Sequence, residues 1–133
     1  MRIAIHIVVA LLLAGTFAAC GVTSPSDLFA EPAYTGTVVP GNTSASMLLF
    51  STTKTGEFIV KVDSVLPDTG ATIGILYGQP SNGLCGVIQQ SPLSGQGRTA
   101  FDIQLQKGSY CLQAYDSGFL VRTESFSISV SHS

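Results

Sequence analysis

The sequence predicts an all-β fold: a single antiparallel β-sandwich of about eight strands, jelly-roll or immunoglobulin-like, preceded by a signal peptide. Three observations lead to this prediction. From residue 34 to residue 133, apolar and polar residues alternate in short runs, which is typical of strands with one buried face. Gly, Pro, Asn and Asp separate these runs at the spacing of sandwich turns. No segment in that part has the periodicity of a helix.

The first element in the chain is an export signal, predicted over residues 1–19. Arg2 supplies a positive charge, and an apolar run follows from Ile3 to Ala19. That run is marginal for the about 20 residues of a spanning helix. An ordinary secretory signal with an incidental Cys20 and an uncleaved N-terminal anchor remain as alternatives. Each of these interpretations of the N-terminus exports the rest of the chain.

The residues Phe17-Ala18-Ala19-Cys20 resemble the lipobox of bacterial lipoproteins. The resemblance implies cleavage before Cys20, lipidation of its thiol, and a membrane anchor of palmitate-type acyl chains. In lipoproteins of diderm bacteria, an Asp directly after the lipidated cysteine retains the protein at the inner membrane. Residue 21 is Gly, so the resemblance implies the outer membrane if the host is diderm. We expect residues 20–33, which are polar and contain prolines, to form a flexible tether, and residues 34–133 to form the domain.

The domain is then divided into its strands by the turn residues. Inward faces are clearest where alternate positions are large and apolar, as at Phe58 and Val60, Phe101 and Leu105, and Phe126. The predicted strands are 34–39, 46–52, 57–65, 71–77, 84–89, 99–105, 109–115 and 123–131.

Cys85 and Cys111 are the cysteines that remain once Cys20 is assigned to the anchor. In an exported domain such a pair is usually oxidised, so we predict a Cys85–Cys111 disulfide. The alternation turns Leu84 and Ile88 inward and both cysteines outward, which places the bond on the outer face. Two free thiols that bind a metal are the alternative, and they lack further ligands nearby.

Three segments carry a resemblance that covers residues 35–132: TGTVVPGNTSASMLLFSTTKTGEFIVKVDSV, ILYGQPSNGLC and KGSYCLQAYDSGFLVRTESFSISVSH. They resemble the PPC-like (pre-peptidase C-terminal-like) β-sandwich domains of exported bacterial proteins, in particular of small lipoproteins. The resemblance implies a sandwich that serves as an appendage and brings no catalytic residues.

Catalytic groups are scarce in the domain, and we predict that it is not an enzyme. The histidine of the predicted domain is His132, which we expect to be frayed near the end of the last strand. No two carboxylates stand out as an acid–base pair. We predict no cofactor and no metal, with calcium at Asp68 or Asp116 as the alternative to carboxylates that cap their own turns.

Charge excludes one class of partner and leaves others open. The net charge is −2 and the basic residues are isolated along the chain, so we expect no nucleic-acid binding. Exposed aromatic residues favour a binding face, with Tyr115 on the outer face and Phe119, beside Leu120, in an exposed loop. The sequence therefore predicts a non-enzymatic membrane-anchored lipoprotein that binds a protein or glycan of the cell envelope. The alternative is a structural spacer or stabilising accessory without a ligand.

Overall fold

Two antiparallel β-sheets pack face to face in the computed structural model, which describes residues 28–133. Within that range the strands are β1 (Phe29–Ala30), β2 (Tyr34–Val38), β3 (Leu48–Thr52), β4 (Gly56–Leu66), β5 (Thr72–Ser81), β6 (Leu84–Gly95), β7 (Thr99–Leu105), β8 (Gly108–Tyr115) and β9 (Glu124–His132). The five-stranded sheet has the order β1-β9-β4-β7, with β2 also paired to β9, and the four-stranded sheet has the order β3-β8-β5-β6. The predicted β-sandwich is confirmed.

Each predicted strand corresponds to one of β2 to β9, and the differences lie at the strand ends. β6 continues to Gly95, through a segment predicted as loop. β1, which lies within the predicted tether, pairs with the end of β9, with Phe29 opposite His132. The predicted signal peptide, Cys20 and the remainder of the tether up to residue 27 lie outside the described residues.

The core lies between the sheets, where the inward faces meet as predicted. Phe58, Val60 and Val62 of β4 are fully buried, and Phe126 of β9 is 3% exposed. Each large apolar side chain buried in this way contributes about 1.5–3 kcal/mol. Aromatic rings join the two sheets, since Phe58 stacks on Phe50 of β3 with ring centroids 5.2 Å apart.

The start of β6 departs from the predicted faces. Leu84 and Ile88, expected to point inward, are 71% and 54% exposed, so that prediction is wrong. The physical reason is that β6 is an edge strand with a register shift opposite Tyr77 and Gly78, which disrupts the alternation that we assumed.

The predicted disulfide is present between Cys85 of β6 and Cys111 of β8. The same register shift in the pairing of β5 with β6 brings these two cysteines together. These strands are separated by β5, so in a regular sheet they would be about 10 Å apart. The two Cα atoms are 5.8 Å apart, because the β5–β6 hairpin bends over the outer face at Gly78. A side chain at Gly78 would overlap the main chain of Gly86, so glycine is required there. The bend also explains why Cys111, in an outward register position, is fully buried.

The sandwich has two ends that differ in composition. The described chain enters at one end, where Phe29 pairs with the end of β9 and where the β3–β4, β5–β6 and β7–β8 turns also lie. We call this the entry end. The β8–β9 loop and the β4–β5 connection lie at the other end, which we call the loop end. The ten residues of β5 run between them, a distance of about 30 Å.

Candidate functional site

The loop between β8 and β9 is organised by one carboxylate. Oδ1 of Asp116 accepts hydrogen bonds from the main-chain N–H groups of Gly118, Phe119 and Leu120, at 2.8, 3.1 and 3.2 Å. Oδ2 accepts the N–H of Gly41, in the β2–β3 connection, at 2.7 Å. These bonds, that from Gly41 foremost, favour the ionised carboxylate and lower the pKa of Asp116. The loop therefore has a defined shape although it is at the surface.

Phe119 projects from this loop with 66% of its surface exposed. Its neighbour Leu120 is only 9% exposed, so the prediction that both residues are exposed is wrong for Leu120. The buried leucine fixes the loop to the core, and the phenylalanine remains at the surface. Phe119 and Val121 line a groove of about 270 Å³ together with Asp68 and Thr72 of the facing β4–β5 connection and β5.

Glu124 also lines this groove and is 1% exposed. One carboxylate oxygen accepts the main-chain N–H of Asp68 at 3.0 Å, and the other lies 3.6 Å from Nε of Arg122. A buried carboxylate is stable only when it is hydrogen-bonded or paired in this way. The groove thus combines an exposed aromatic ring and an exposed valine with carboxylates, which suits a ligand that has an apolar face and hydrogen-bond donors.

Tyr115, the other residue of the predicted binding face, lies on the outer face of the four-stranded sheet. Its ring covers Gly74 of β5, where a side chain would collide with it. Its hydroxyl donates to Oε1 of Gln90 at 3.2 Å, and partial burial raises the pKa of Tyr115. The ring is half-buried against the sheet. Tyr115 and Phe119 both lie at the loop end, and Phe119 is the more accessible of the two.

A buried histidine lies at the entry end, which sequence reasoning missed. His132 is 3% exposed, and its Nε2 is 2.7 Å from Oε1 of Glu31. Its Nδ1 is 3.1 Å from the main-chain oxygen of Ser133, and the centroid of its ring is 5.2 Å from the ring centroid of Phe50. The prediction of a frayed histidine is therefore wrong, because β9 pairs along its length with β4 and continues against β1. Both ring nitrogens already have oxygen partners within the fold.

Among residues 28–133, no group of three or more His, Cys, Asp or Glu side chains is arranged to hold a metal ion. The two turn aspartates instead accept main-chain N–H groups, as Asp68 does from Gly70 at 2.9 Å. In the same part of the chain, no helix is long and apolar enough to cross a membrane.

The chain was compared with models of known protein families and with curated proteins. No family model matches it, and no curated protein matches it either.

Proposed function

We propose that this protein is a non-enzymatic lipoprotein, anchored to a membrane of the cell envelope through lipidated Cys20, whose sandwich binds a protein or glycan of the envelope at the loop end. One observation carries the binding role: Phe119 is 66% exposed on a loop whose main chain is held by Asp116. One carboxylate oxygen of Asp116 accepts N–H groups of the loop itself, and the other accepts the N–H of Gly41 in the β2–β3 connection. Because the main chain of the loop is already held, a partner that buries this ring has less of the loop to order, and exposed aromatic rings are typical binding anchors.

The position of the loop supports the same role. The described chain begins at the entry end, and Phe119 lies at the loop end, about 30 Å away along β5. A domain tethered in this way has its candidate binding loop directed away from the membrane. The groove beside Phe119 adds an apolar wall at Val121 and hydrogen-bond acceptors at Asp68.

The test compares three forms of the protein on an array of bacterial surface glycans and in capture from solubilised cell envelopes. The forms are the unchanged protein, Phe119→Ala and the control Phe29→Ala, which removes an aromatic ring of similar exposure, 59%, at the entry end. We expect a partner that the unchanged protein and Phe29→Ala retain and Phe119→Ala loses. Equal capture by all three forms would place the contact elsewhere. The absence of any partner above background would favour the ligand-free spacer.

A further inference from the structure

The β5–β6 hairpin at the entry end carries no charge. The sequence has no Asp, Glu, Lys, Arg or His between Asp68 and Arg98. The first half of β6 nevertheless exposes large apolar side chains, with Leu84 71%, Val87 49% and Ile88 54% accessible. Edge strands of soluble domains usually carry charges that prevent contact with other surfaces. This hairpin lacks that protection and therefore offers a surface for docking.

The charges that surround the hairpin are unevenly distributed between the two ends. Lys54 in the β3–β4 turn and Lys107 in the β7–β8 turn are exposed at the entry end. Among residues 28–133, the acidic side chains at that end are Glu31, whose Oε1 lies 2.7 Å from Nε2 of His132, and half-buried Glu57. The loop end has three carboxylates, those of Asp68, Asp116 and Glu124, and its basic side chains are Arg122 beside Glu124 and exposed Arg98 in the turn between β6 and β7.

The tether limits how far this end can move from an anchor at Cys20. Seven residues lie between Cys20 and Leu28, so the extended chain from one to the other spans at most about 30 Å. The entry end also carries exposed Phe29. A groove of about 460 Å³ at this end is lined by Glu31 and by Pro80 of the β5–β6 hairpin. An anchored domain therefore keeps this uncharged hairpin, with its exposed apolar side chains, and the two exposed lysines close to the lipid.

We propose that the entry end docks on the surface of the bilayer, with the tip of the β5–β6 hairpin inserted among the lipids and Lys54 and Lys107 beside anionic headgroups. This inference rests on the proposed lipidation of Cys20, because one contact this small needs the anchor to keep it at the surface. The apolar side chains leave water, and the lysines add an attraction that weakens as salt increases. The acidic loop end remains in solution.

The chain contains no tryptophan, so a single introduced indole reports on its own position. Leu84→Trp places it at the hairpin tip, and the control Val121→Trp places it at the loop end, where the native side chain is 87% exposed. The full mature protein is reconstituted in vesicles of phosphatidylethanolamine and phosphatidylglycerol that contain brominated lipids. We expect the emission of Leu84→Trp to shift to the blue and to be quenched several-fold more than that of Val121→Trp. In the Leu84→Trp background, Lys54→Gln with Lys107→Gln should reduce the quenching, and vesicles of phosphatidylcholine alone should reduce it as well.

The outcomes separate this proposal from the anchor on which it rests. Mass spectrometry of the same preparation shows whether Cys20 carries lipid, and a chain without lipid overturns the proposed anchor. A lipidated protein in which both indoles are equally unquenched overturns the docking alone. A blue shift of Leu84→Trp that depends on protein concentration in detergent, without quenching by lipid, would show that the hairpin covers a second copy of the chain and would also overturn the docking.

Discussion

At the scale of single residues, Asp116 has the clearest structural role, because one carboxylate holds the loop that presents Phe119. Asp116→Asn removes the charge and one acceptor oxygen. We expect it to cost about 1 kcal/mol at neutral pH, the usual net contribution of a hydrogen bond. It should also weaken any partner that requires Phe119. Asp102→Asn is the matched control, since Asp102 is exposed on β7 and lies outside the loop.

The lowered pKa of Asp116 adds a pH dependence to this prediction. A carboxyl group whose pKa is lower in the folded state stabilises the protein fully above its unfolded value of about 3.9, and this contribution is lost as the pH falls through the folded value. The difference in melting temperature between the unchanged protein and Asp116→Asn should therefore be largest at neutral pH and should shrink in acid. A difference that stays constant between pH 7 and pH 3 would contradict this role of the carboxylate.

Glu31 has a second residue-scale role as the partner of buried His132. Glu31→Leu leaves Nε2 of His132 without its acceptor, and we expect a loss of about 1–3 kcal/mol in the free energy of unfolding. Glu31→Gln keeps an acceptor oxygen at the same place and should cost less. Urea denaturation of both variants checks the prediction. Equal stability of Glu31→Leu and the unchanged protein would mean that the contact contributes nothing net.

The alternation along β9 contained a signal for both buried polar residues that sequence reasoning missed. Glu124 and His132 have the same parity as Phe126 and Val130, so they point to the core. The sequence prediction assigns only the apolar residues to that face, and it ends the strand at residue 131, one residue before His132. Their partners could not be found in the same way, because Glu31 lies 101 residues from His132 and its contact depends on how β1 pairs.

At the scale of elements, the β5–β6 hairpin depends on Gly78. Gly78→Ala would push a methyl group into the main chain of Gly86, and main chain cannot move aside as a side-chain tip can. We expect a cost of about 3 kcal/mol, at the upper end for overpacking, and a smaller fraction of oxidised Cys85–Cys111. Gly95→Ala is the control, because a methyl group there meets its nearest neighbours at 3.8 Å. Thermal melts with thiol counting measure both effects, and similar values for the two variants would argue against a tight bend.

The disulfide itself is a second element-scale prediction. Cys85 and Cys111 are 26 residues apart in sequence, and a closed loop of this size stabilises the fold by about 3.5 kcal/mol in the chain-entropy model. Cys85→Ala with Cys111→Ala should lower the melting temperature by the corresponding amount, and reductant should lower that of the unchanged protein but not that of the variant. Equal melting temperatures with and without reductant would show that the bond does not contribute to stability.

The sequence predicted the positions of the strands, but it did not predict the irregular pairing of β5 with β6. Alternation and turn residues are local properties, and they located β2 to β9. The bend at Gly78 depends on a bulge and on contact between main chains of β5 and β6, which local alternation does not encode. The inward orientation predicted for Leu84 and Ile88 is wrong for this reason, whereas the disulfide pair, which was predicted from the number of cysteines and not from the alternation, is confirmed.

At the scale of the whole molecule, the two ends of the sandwich have separate tasks in our proposals. The entry end bears the start of the described chain, the uncharged hairpin and two exposed lysines, and the loop end bears Phe119 and three carboxylates. Length and composition predicted one exported domain, but this polarity emerges only when the strand order shows which turns share an end. Tyr115 and Phe119 were the candidate residues from sequence alone, and the structure adds that Asp116 positions one of them.

Cys20 is the residue on which this arrangement depends, and its replacement tests the whole molecule. Cys20→Ala removes the thiol that would receive the lipid, so we expect the protein to lose its hydrophobic anchor and to leave the membrane fraction on high-salt washing. The unchanged protein should remain with the membrane, incorporate labelled palmitate and require detergent for extraction. The double variant Cys85→Ala with Cys111→Ala is the control, because it alters cysteines without touching the anchor.

If Cys20→Ala stays in the membrane fraction without labelling, the apolar N-terminal run acts as an uncleaved anchor. If both proteins are soluble and cleaved, the N-terminus is an ordinary secretory signal.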